Sequence, residues 1–296
     1  MKTIPTHDTR DFNEKYVQPN GLLKAGFDKF FIVPVQDMIH LMKLPVPPVR
    51  TTTHSLIYLT EGDAVMTIGS DTYTIHAHDC LIVPAAQVFS FSNIDHNKGY
   101  LCNFHNDMVL STPGQKARDL ELLQIWANPR ITLRPETSGF VHNLLQRLLA
   151  LYTENGINDK PLIQSYLLAV LSELNRVAQP ANQPAGNQAV NIARQFQSLV
   201  HAHFKAKHRV ADYAAMLHVT PNHLTKSVTN ATGKSPSRWI DEAIVLEAKV
   251  LLYQSHHTIG DIAAEIGLQD PSYFSRLFKK YEGVTPQAFR SRIEKS

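Results

Sequence analysis

The chain has 296 residues, 43% of them hydrophobic and 8% aromatic, enough for two domains of ordinary size with a core in each. Its net charge of +3 is unevenly divided: from residue 190 onward 14 Lys or Arg stand against 9 Asp or Glu, and before it 15 stand against 17. A basic C-terminal part that also holds seven of the histidines, beside a slightly acidic remainder, fits a nucleic-acid module joined to a second domain. The two cysteines, Cys80 and Cys102, lie in apolar, strand-like surroundings and are too few for a disulfide framework, which points to a reducing cytoplasm. No stretch reaches the roughly 18 apolar residues of a membrane span, and the N-terminal residues have no apolar core for a signal peptide. The expectation is a cytoplasmic protein with no membrane partner.

In chain order, residues 1–19 read as an arm with little periodic apolar pattern. Residues 27–33 and 38–44 read as extended, separated by Pro34 and Asp37, and Pro45, Pro47 and Pro48 interrupt the chain again. Short alternating segments then follow at 54–60, 64–68, 72–75, 80–84, 88–92 and 98–105. Turns are expected at Glu61-Gly62-Asp63, Gly69-Ser70-Asp71 and His78-Asp79. This spacing predicts an antiparallel β-barrel or sandwich. A barrel interior with a few polar groups is the usual form of a small-molecule pocket. Arg50, suited to a carboxylate or a sugar hydroxyl, and His54, Phe91 and Asn103 are the candidate ligand residues; the alternative is that each merely fills the barrel.

Helical periodicity returns at 115–126 and at 138–152, the latter with Phe140, Leu144, Leu145, Leu148 and Leu151 along one side. A third helix, 160–177, carries Leu162, Tyr166, Leu167, Val170, Leu171 and Leu174 at coiled-coil-like spacing. It either packs on the barrel or forms an antiparallel contact with a second copy; a homodimer through the 160–177 helix is the expectation. Residues 179–188, Q-P-A-N-Q-P-A-G-N-Q, have the composition of a linker. The domain boundaries that follow are 1–178, 179–188 and 189–296. A helix over 191–204, with Ile192, Phe196, Leu199 and Val200 inward, opens the last part.

Residues 258–289 read T-I-G-D-I-A-A-E-I-G-L-Q-D-P-S-Y-F-S-R-L-F-K-K-Y-E-G-V-T-P-Q-A-F. Ile259, Ile262, Ala263 and Ile266 mark a short helix that Gly267 ends. Asp270 followed by Pro271 then places a capping residue before a proline at the first helical position, where its missing N–H costs nothing. In the helix so opened, Phe274, Leu277, Phe278 and Tyr281 form the inward stripe. Ser272, Tyr273, Ser275, Arg276, Lys279 and Lys280 remain as a polar, basic face, which describes a helix-turn-helix. The unit occurs twice, for residues 210–239 overlay it with one residue extra in the later turn. Asp212 meets Asp261, Pro221 meets Pro271, Leu224 meets Phe274, Lys226 meets Arg276, and Gly233, Pro236 and Trp239 meet Gly283, Pro286 and Phe289. Between the copies, Ile240, Ile244, Leu246, Ala248, Leu251 and Leu252 lie in an unbroken helix. Two such helices held apart by a stiff spacer can enter successive major-groove segments on one face of DNA.

The residues of 210–290 resemble the AraC/XylS-type transcription regulators, whose signature lies over the second motif and the G-x-T-P-x-x-F after it. The resemblance implies a bipartite, all-α DNA-binding domain of seven helices. It places DNA-contacting positions on Thr220, Asn222, Thr225 and Lys226 of the first copy, and on Ser272, Tyr273, Ser275, Arg276, Lys279 and Lys280 of the second. Family members commonly carry aromatic and basic residues late in the first recognition helix, whereas here the run is Ser227, Val228, Thr229, Asn230, implying a weaker phosphate grip. The order L-x-E-G, Tyr73, Asp79 and Val83-Pro84 resembles the cupin-like barrel at the N-terminus of the same family, with an effector bound inside.

A catalytic cupin needs a His-x-His pair, a carboxylate and a further His aimed at one ion. Here the strand approach of residues 50–55 has His54 alone, and His76 and His78 fall in a turn expected to point to solvent. No metal, cofactor or catalytic residue is therefore expected. The reading is a two-domain, non-enzymatic, sequence-specific DNA-binding transcription regulator, with double-stranded DNA, a small effector and the transcription machinery as partners. The alternatives are a metal-dependent cupin enzyme with a helical appendage, a regulator whose barrel serves only dimerisation, and an architectural binder without sequence preference.

Overall fold

Strand β3 (His54–Ile68) is the centre of the N-terminal unit, pairing with four of its other seven strands. The computed structural model describes residues 6–19, 21–92, 96–109, 121–123, 128–178, 188–254 and 257–293, and the chain divides into two compact units, Pro5–Ala181 and Asn182–Ser296. The first half of β3 lies between β7 (Asn97–Phe104) and β5 (Asp79–Val83). Its second half turns through Gly69-Ser70 into β4 (Asp71–His76) and meets β6 (Phe89–Phe91). β1 (Phe30–Pro34) extends the sheet beyond β7, β8 (Arg130–Thr132) extends it beyond β5, and β2 (Val46–Val49) pairs with β6. Every one of these pairings is antiparallel, as the turn chemistry predicts.

The turn expected at Glu61-Gly62-Asp63 is instead a bulge inside β3. The register slips between Leu59 and Glu61, and Gly62 has φ 76. A Cβ on Gly62 would fall 2.3 Å from the His96 carbonyl oxygen, so glycine lets the strand bend without ending it.

Near the N-terminus the arm is ordered in part, and one expected strand is absent. The arm contains a helix, α1 (Thr9–Tyr16), whose N-cap Asp8 accepts from the Arg10 and Asp11 amides. Residues 38–44 form no strand; the chain makes a short helix, α2 (Val35–Ile39), and its next strand is β2, prolines included. Pro47 and Pro48 are tolerated because β2 pairs with β6 only at Val46 and Val49, across a register shift, and needs no N–H from between them.

Because side chains alternate across a strand, the main sheet separates two cores. Leu56 and Tyr58 of β3, Cys80 and Ile82 of β5, and Cys102 and Phe104 of β7 face a helical layer of α3 (Pro135–Asn155) and α4 (Lys160–Ala178). Ile57, Leu59, Leu81 and Val83 face the other way, into the barrel. β5 is buried at all five positions for this reason, which is why C-L-I-V-P is apolar without alternation. Both cysteine thiols are free and buried, and burial pushes each well above the usual thiol range.

In the helical layer Val141, Leu145, Leu148 and Tyr152 of α3 share a core with Ile163, Leu167, Val170, Leu171 and Leu174 of α4, each buried side chain contributing about 1.5–3 kcal/mol. Phe140, expected in the stripe, is 52% exposed, and Leu162 is 41% exposed. The α4 stripe expected at a dimer contact is thus largely buried within its own unit. The predicted helix 115–126 lies outside the described residues except for a 3-10 turn at Glu121–Leu123. The linker 179–188 likewise lies outside them, apart from Gln188, which opens the next helix.

The second unit has seven helices among the described residues: α5 (Gln188–His203), α6 (Val210–Met216), α7 (Pro221–Thr232), α8 (Pro236–Gln254), α9 (Ile259–Glu265), α10 (Pro271–Glu282) and α11 (Pro286–Ile293). α8, at 19 residues, is about 28 Å long. Its buried side includes Ile240, Ile244, Ala248, Leu251 and Leu252, as expected, and Val245 in place of the half-buried Leu246.

Candidate nucleic-acid interface and barrel cavity

The helix pairs α6–α7 and α9–α10 repeat down to single hydrogen bonds. After α6 the His218 amide donates to Ala215 O at 3.1 Å and the Val219 amide to Ala214 O at 3.0 Å. After α9 the Gly267 amide donates to Ala264 O at 3.1 Å and the Leu268 amide to Ala263 O at 2.8 Å. Both turns need a left-handed residue, supplied by His218 at φ 55 and Gly267 at φ 86. The second can only be glycine, because a Cβ there would lie 1.8 Å from the Lys205 carbonyl oxygen. The extra residue of the later turn follows, and then each recognition helix starts on a capped proline. Thr220 caps α7 by accepting from the His223 amide, and Asp270 caps α10 by accepting from the Ser272 amide. Both end on a left-handed glycine, Gly233 at φ 71 and Gly283 at φ 73. A capping box, Thr258 with Asp261, opens α9, and its hydrogen bonds hold the Asp261 carboxyl below the usual carboxylate range.

Packing fixes which face of each helix stays outside. Leu224, Ser227 and Val228 are buried on α7, and Phe274, Leu277 and Phe278 on α10. Phe289 of α11 meets Phe278 edge-on at 5.4 Å. Tyr281 is half-buried, and its hydroxyl donates to Asp241 Oδ2 of α8 at 2.9 Å; burial and that carboxylate push its ionisation well above the usual tyrosine range. Thr220, Asn222, Thr225 and Lys226 are exposed on the first copy, as are Ser272, Tyr273, Arg276, Lys279 and Lys280 on the second, with Ser275 half-buried among them. His223 shares the exposed face of α7 at the position of Tyr273. The repeat overlay contains that match, and His223 belongs with the candidates for that reason.

The faces differ in charge. Arg276 lies 3.8 Å from Asp270, and Lys280 3.4 Å from Asp241; both basic groups are solvent-facing, so such pairs yield to a phosphate at little cost. Lys279 is exposed, and among the described residues its side chain makes no hydrogen bond or ion pair. Thr229 and Asn230 occupy the matching exposed positions of α7. The second copy therefore offers Arg276, Lys279 and Lys280 where the first offers Lys226 alone.

A helix-turn-helix domain family matches residues 213–292, which span both pairs. The chain is 33% identical over 256 residues to the HTH-type transcriptional activator RhaR of Yersinia pseudotuberculosis serotype O:1b (strain IP 31758), covering 81% of this chain and 83% of that one. The chain belongs to the AraC/XylS-type family of transcription regulators. It is a DNA-binding regulator with the two-domain architecture of an antiparallel barrel followed by a helical domain. A second relative, the uncharacterized HTH-type transcriptional regulator YisR of Bacillus subtilis, is 28% identical over 158 residues, 53% of each chain. Among solved structures, ToxT from Vibrio cholerae O395 aligns with a TM-score of 0.43 at 15% identity, over 90% of this chain and 94% of that one.

In this regulator the barrel holds a cavity of about 130 Å³. Its wall includes Ser55, Ile57 and Leu59 of β3, Phe89 and Phe91 of β6, and Asn103 of β7, with α1 contributing Phe12. Of the four residues suggested by the sequence, Phe91 and Asn103 line this cavity, and Arg50 and His54 do not. His54 has the parity of Leu56 and Tyr58, so it faces away from the cavity; its Nε2 is 2.8 Å from Asn106 Oδ1, its Nδ1 accepts from the Ala85 amide, and its ring stacks on Phe104. Burial lowers its pKa, and the ring is a structural part. Asn103 stands directly opposite Ser55 across the β3–β7 ladder, and its Nδ2 donates to Ser55 Oγ at 3.0 Å.

His76 and His78 flank the turn before Asp79, yet His78 does not simply face solvent. Its Nδ1 lies 2.8 Å from Ser138 Oγ of α3, which also hydrogen-bonds the Tyr58 hydroxyl at 2.8 Å. His76 pairs with Asp63, and Asp79 pairs with Arg130 at 3.0 Å. No three His, Cys, Asp or Glu side chains converge among the described residues.

Proposed function

We propose that this regulator reads specific DNA through α7 and α10 together and answers to a small molecule held in its barrel. The observation that carries the reading is the pair of exposed polar faces, presented by two copies of one capped helix-turn-helix on either side of a 19-residue helix. Asn222, Thr225, Lys226, Ser272, Tyr273, Ser275 and Arg276 are the base-reading candidates, joined by His223. Thr220, Lys279 and Lys280 are placed for phosphates. Two recognition helices on one chain suit a bipartite site, its halves about one helical turn apart.

The barrel unit would then be the sensing and dimerising part of a cytoplasmic protein that is not an enzyme and acts on the transcription machinery. A homodimer formed through α4 would use its outer face, where Leu162 is exposed, since Leu167, Val170, Leu171 and Leu174 belong to the unit's own core.

The test is selection of bound duplexes from a random pool by the full chain. Two short conserved segments spaced by about 10–10.5 base pairs are expected. Recovery of a single segment would remove the role of one copy, and recovery of no shared sequence would leave an architectural binder in its place.

A further inference from the structure

Given the effector role proposed above, on which the ligand assignment rests, the barrel cavity selects its occupant by what the wall withholds. No Lys, Arg, Asp, Glu or His lines the cavity among the described residues. An ionised ligand would lose its water there and gain no counter-charge. The polar side chains on the wall are hydroxyls and amides, and they are turned to the protein. Thr51 Oγ1 donates to the Thr53 carbonyl oxygen at 3.1 Å, and Asn103 Nδ2 to Ser55 Oγ at 3.0 Å. Asn13 Nδ2 donates to the Thr9 carbonyl oxygen at 2.7 Å, and Asn97 Nδ2 to that of Asp63 at 3.0 Å. The amide oxygens of Asn97 and Asn103 are shut inside the wall, where no ligand reaches them. The backbone of the first half of β3 is paired on both sides, with β5 and with β7. A molecule with several hydroxyls, such as a sugar, would therefore leave hydrogen bonds to water behind and recover few.

What the wall does offer is apolar surface. Ile57 and Leu59 of β3 stand beside Leu81 and Val83 of β5. On another side the Phe12 and Phe89 rings are 5.9 Å apart, and those of Phe89 and Phe91 stack at 6.4 Å. Met38, Met42 and Met66 complete the lining, unbranched side chains that settle around whatever shape lies against them. A volume of about 130 Å³ is close to the roughly 150 Å³ of an engineered apolar cavity that takes benzene.

We propose that the barrel binds a small, uncharged, hydrocarbon-like molecule about one ring in size, held by apolar burial against Phe12, Phe89, Phe91 and Met66 and by no directed hydrogen bond. Arg50, outside the wall, has no part in it.

The experiment titrates the full-length protein at neutral pH with toluene, phenol, benzoate and glucose, reading dissociation constants by calorimetry. The first three share one ring and differ in carrying a methyl group, a hydroxyl or a charge. Toluene is expected to bind most tightly, and phenol roughly tenfold more weakly, because its hydroxyl leaves water without gaining a partner. Benzoate and glucose should bind weaker than toluene by about a hundredfold or more. Ala64→Leu puts a larger side chain into the cavity from β3, and there toluene should lose about tenfold or more in affinity while the melting temperature holds or rises. Should that variant fail to fold, the order of the four ligands on the wild-type protein carries the test. Phenol binding as tightly as toluene, benzoate or glucose binding within about tenfold of it, binding of none of the four, or a folded Ala64→Leu protein with unchanged toluene affinity overturns the proposal. The same titrations on the complex with the selected duplex separate the two readings. Benzoate or glucose that binds and changes DNA affinity overturns the ligand class and upholds the effector role, whereas toluene bound as expected with DNA affinity unchanged overturns the effector role alone.

Discussion

The two helix-turn-helix copies share the hydrogen bonds of their turns and the start and stop of their recognition helices, and differ in what they show to solvent. α7 and α10 have the same length, the same proline start and the same left-handed glycine stop, and the turns before them make the same two hydrogen bonds. Yet Lys279 and Lys280 face outward where Thr229 and Asn230 do, and Arg276 where Lys226 does. The lesson is that the scaffold is specified by caps, turns and buried positions, while exposed positions are free to divide labour. The second copy has the electrostatic means to hold the duplex, and the first contributes mostly neutral hydrogen-bonding groups.

The largest expected effect lies in the turns, where the likeness of the copies is nearly complete. Gly267→Ala should destabilise the protein by about 2–4 kcal/mol in urea unfolding, because its Cβ meets the Lys205 carbonyl. His218→Gly, at the matching position, should change stability by less than about 1 kcal/mol, relief of left-handed strain offsetting the added chain entropy. Equal losses at both sites would mean that the two turns are not equivalent environments.

Next comes the difference in base reading. Arg276→Ala should cost about 1–3 kcal/mol on the selected site and relax preference at one position. A loss of the same size on random DNA would move Arg276 from base to phosphate. The smallest effect sharpens the contrast in charge: Thr229→Lys with Asn230→Lys should raise affinity evenly across sequences and steepen the slope of log K against log salt by about 0.9 for each lysine that reaches a phosphate. An unchanged slope would show that this end of α7 stays away from the backbone of the duplex.

What could be read from the chain follows the same division. The helical pairs were legible because their signals are local: Asp270-Pro271, Thr220-Pro221, Gly233 and Gly283 each act within a few residues. The barrel was legible as a class but not in its walls. Glu61-Gly62-Asp63 has the composition of a turn, and only its pairing with the distant Lys98 and Asn97 keeps it within the strand. His54 and Asn103 look equally plausible in sequence, yet strand parity sends one toward the α3–α4 layer and the other into the cavity. Pro47 and Pro48 hid a strand because the tolerance comes from sparse pairing with a partner some 40 residues away. Phe140 fits a helical stripe by spacing, but the layer it would join is already filled by Val141 and its neighbours.

Ser55, Ile57 and Leu59 touch whatever occupies the barrel, and Leu56 and Tyr58, threaded between them on one backbone, seat the helices behind. A strand so clamped cannot give way on one side only. A molecule that filled the cavity would press on the same backbone that carries Tyr58, whose hydroxyl hydrogen-bonds Ser138 of α3.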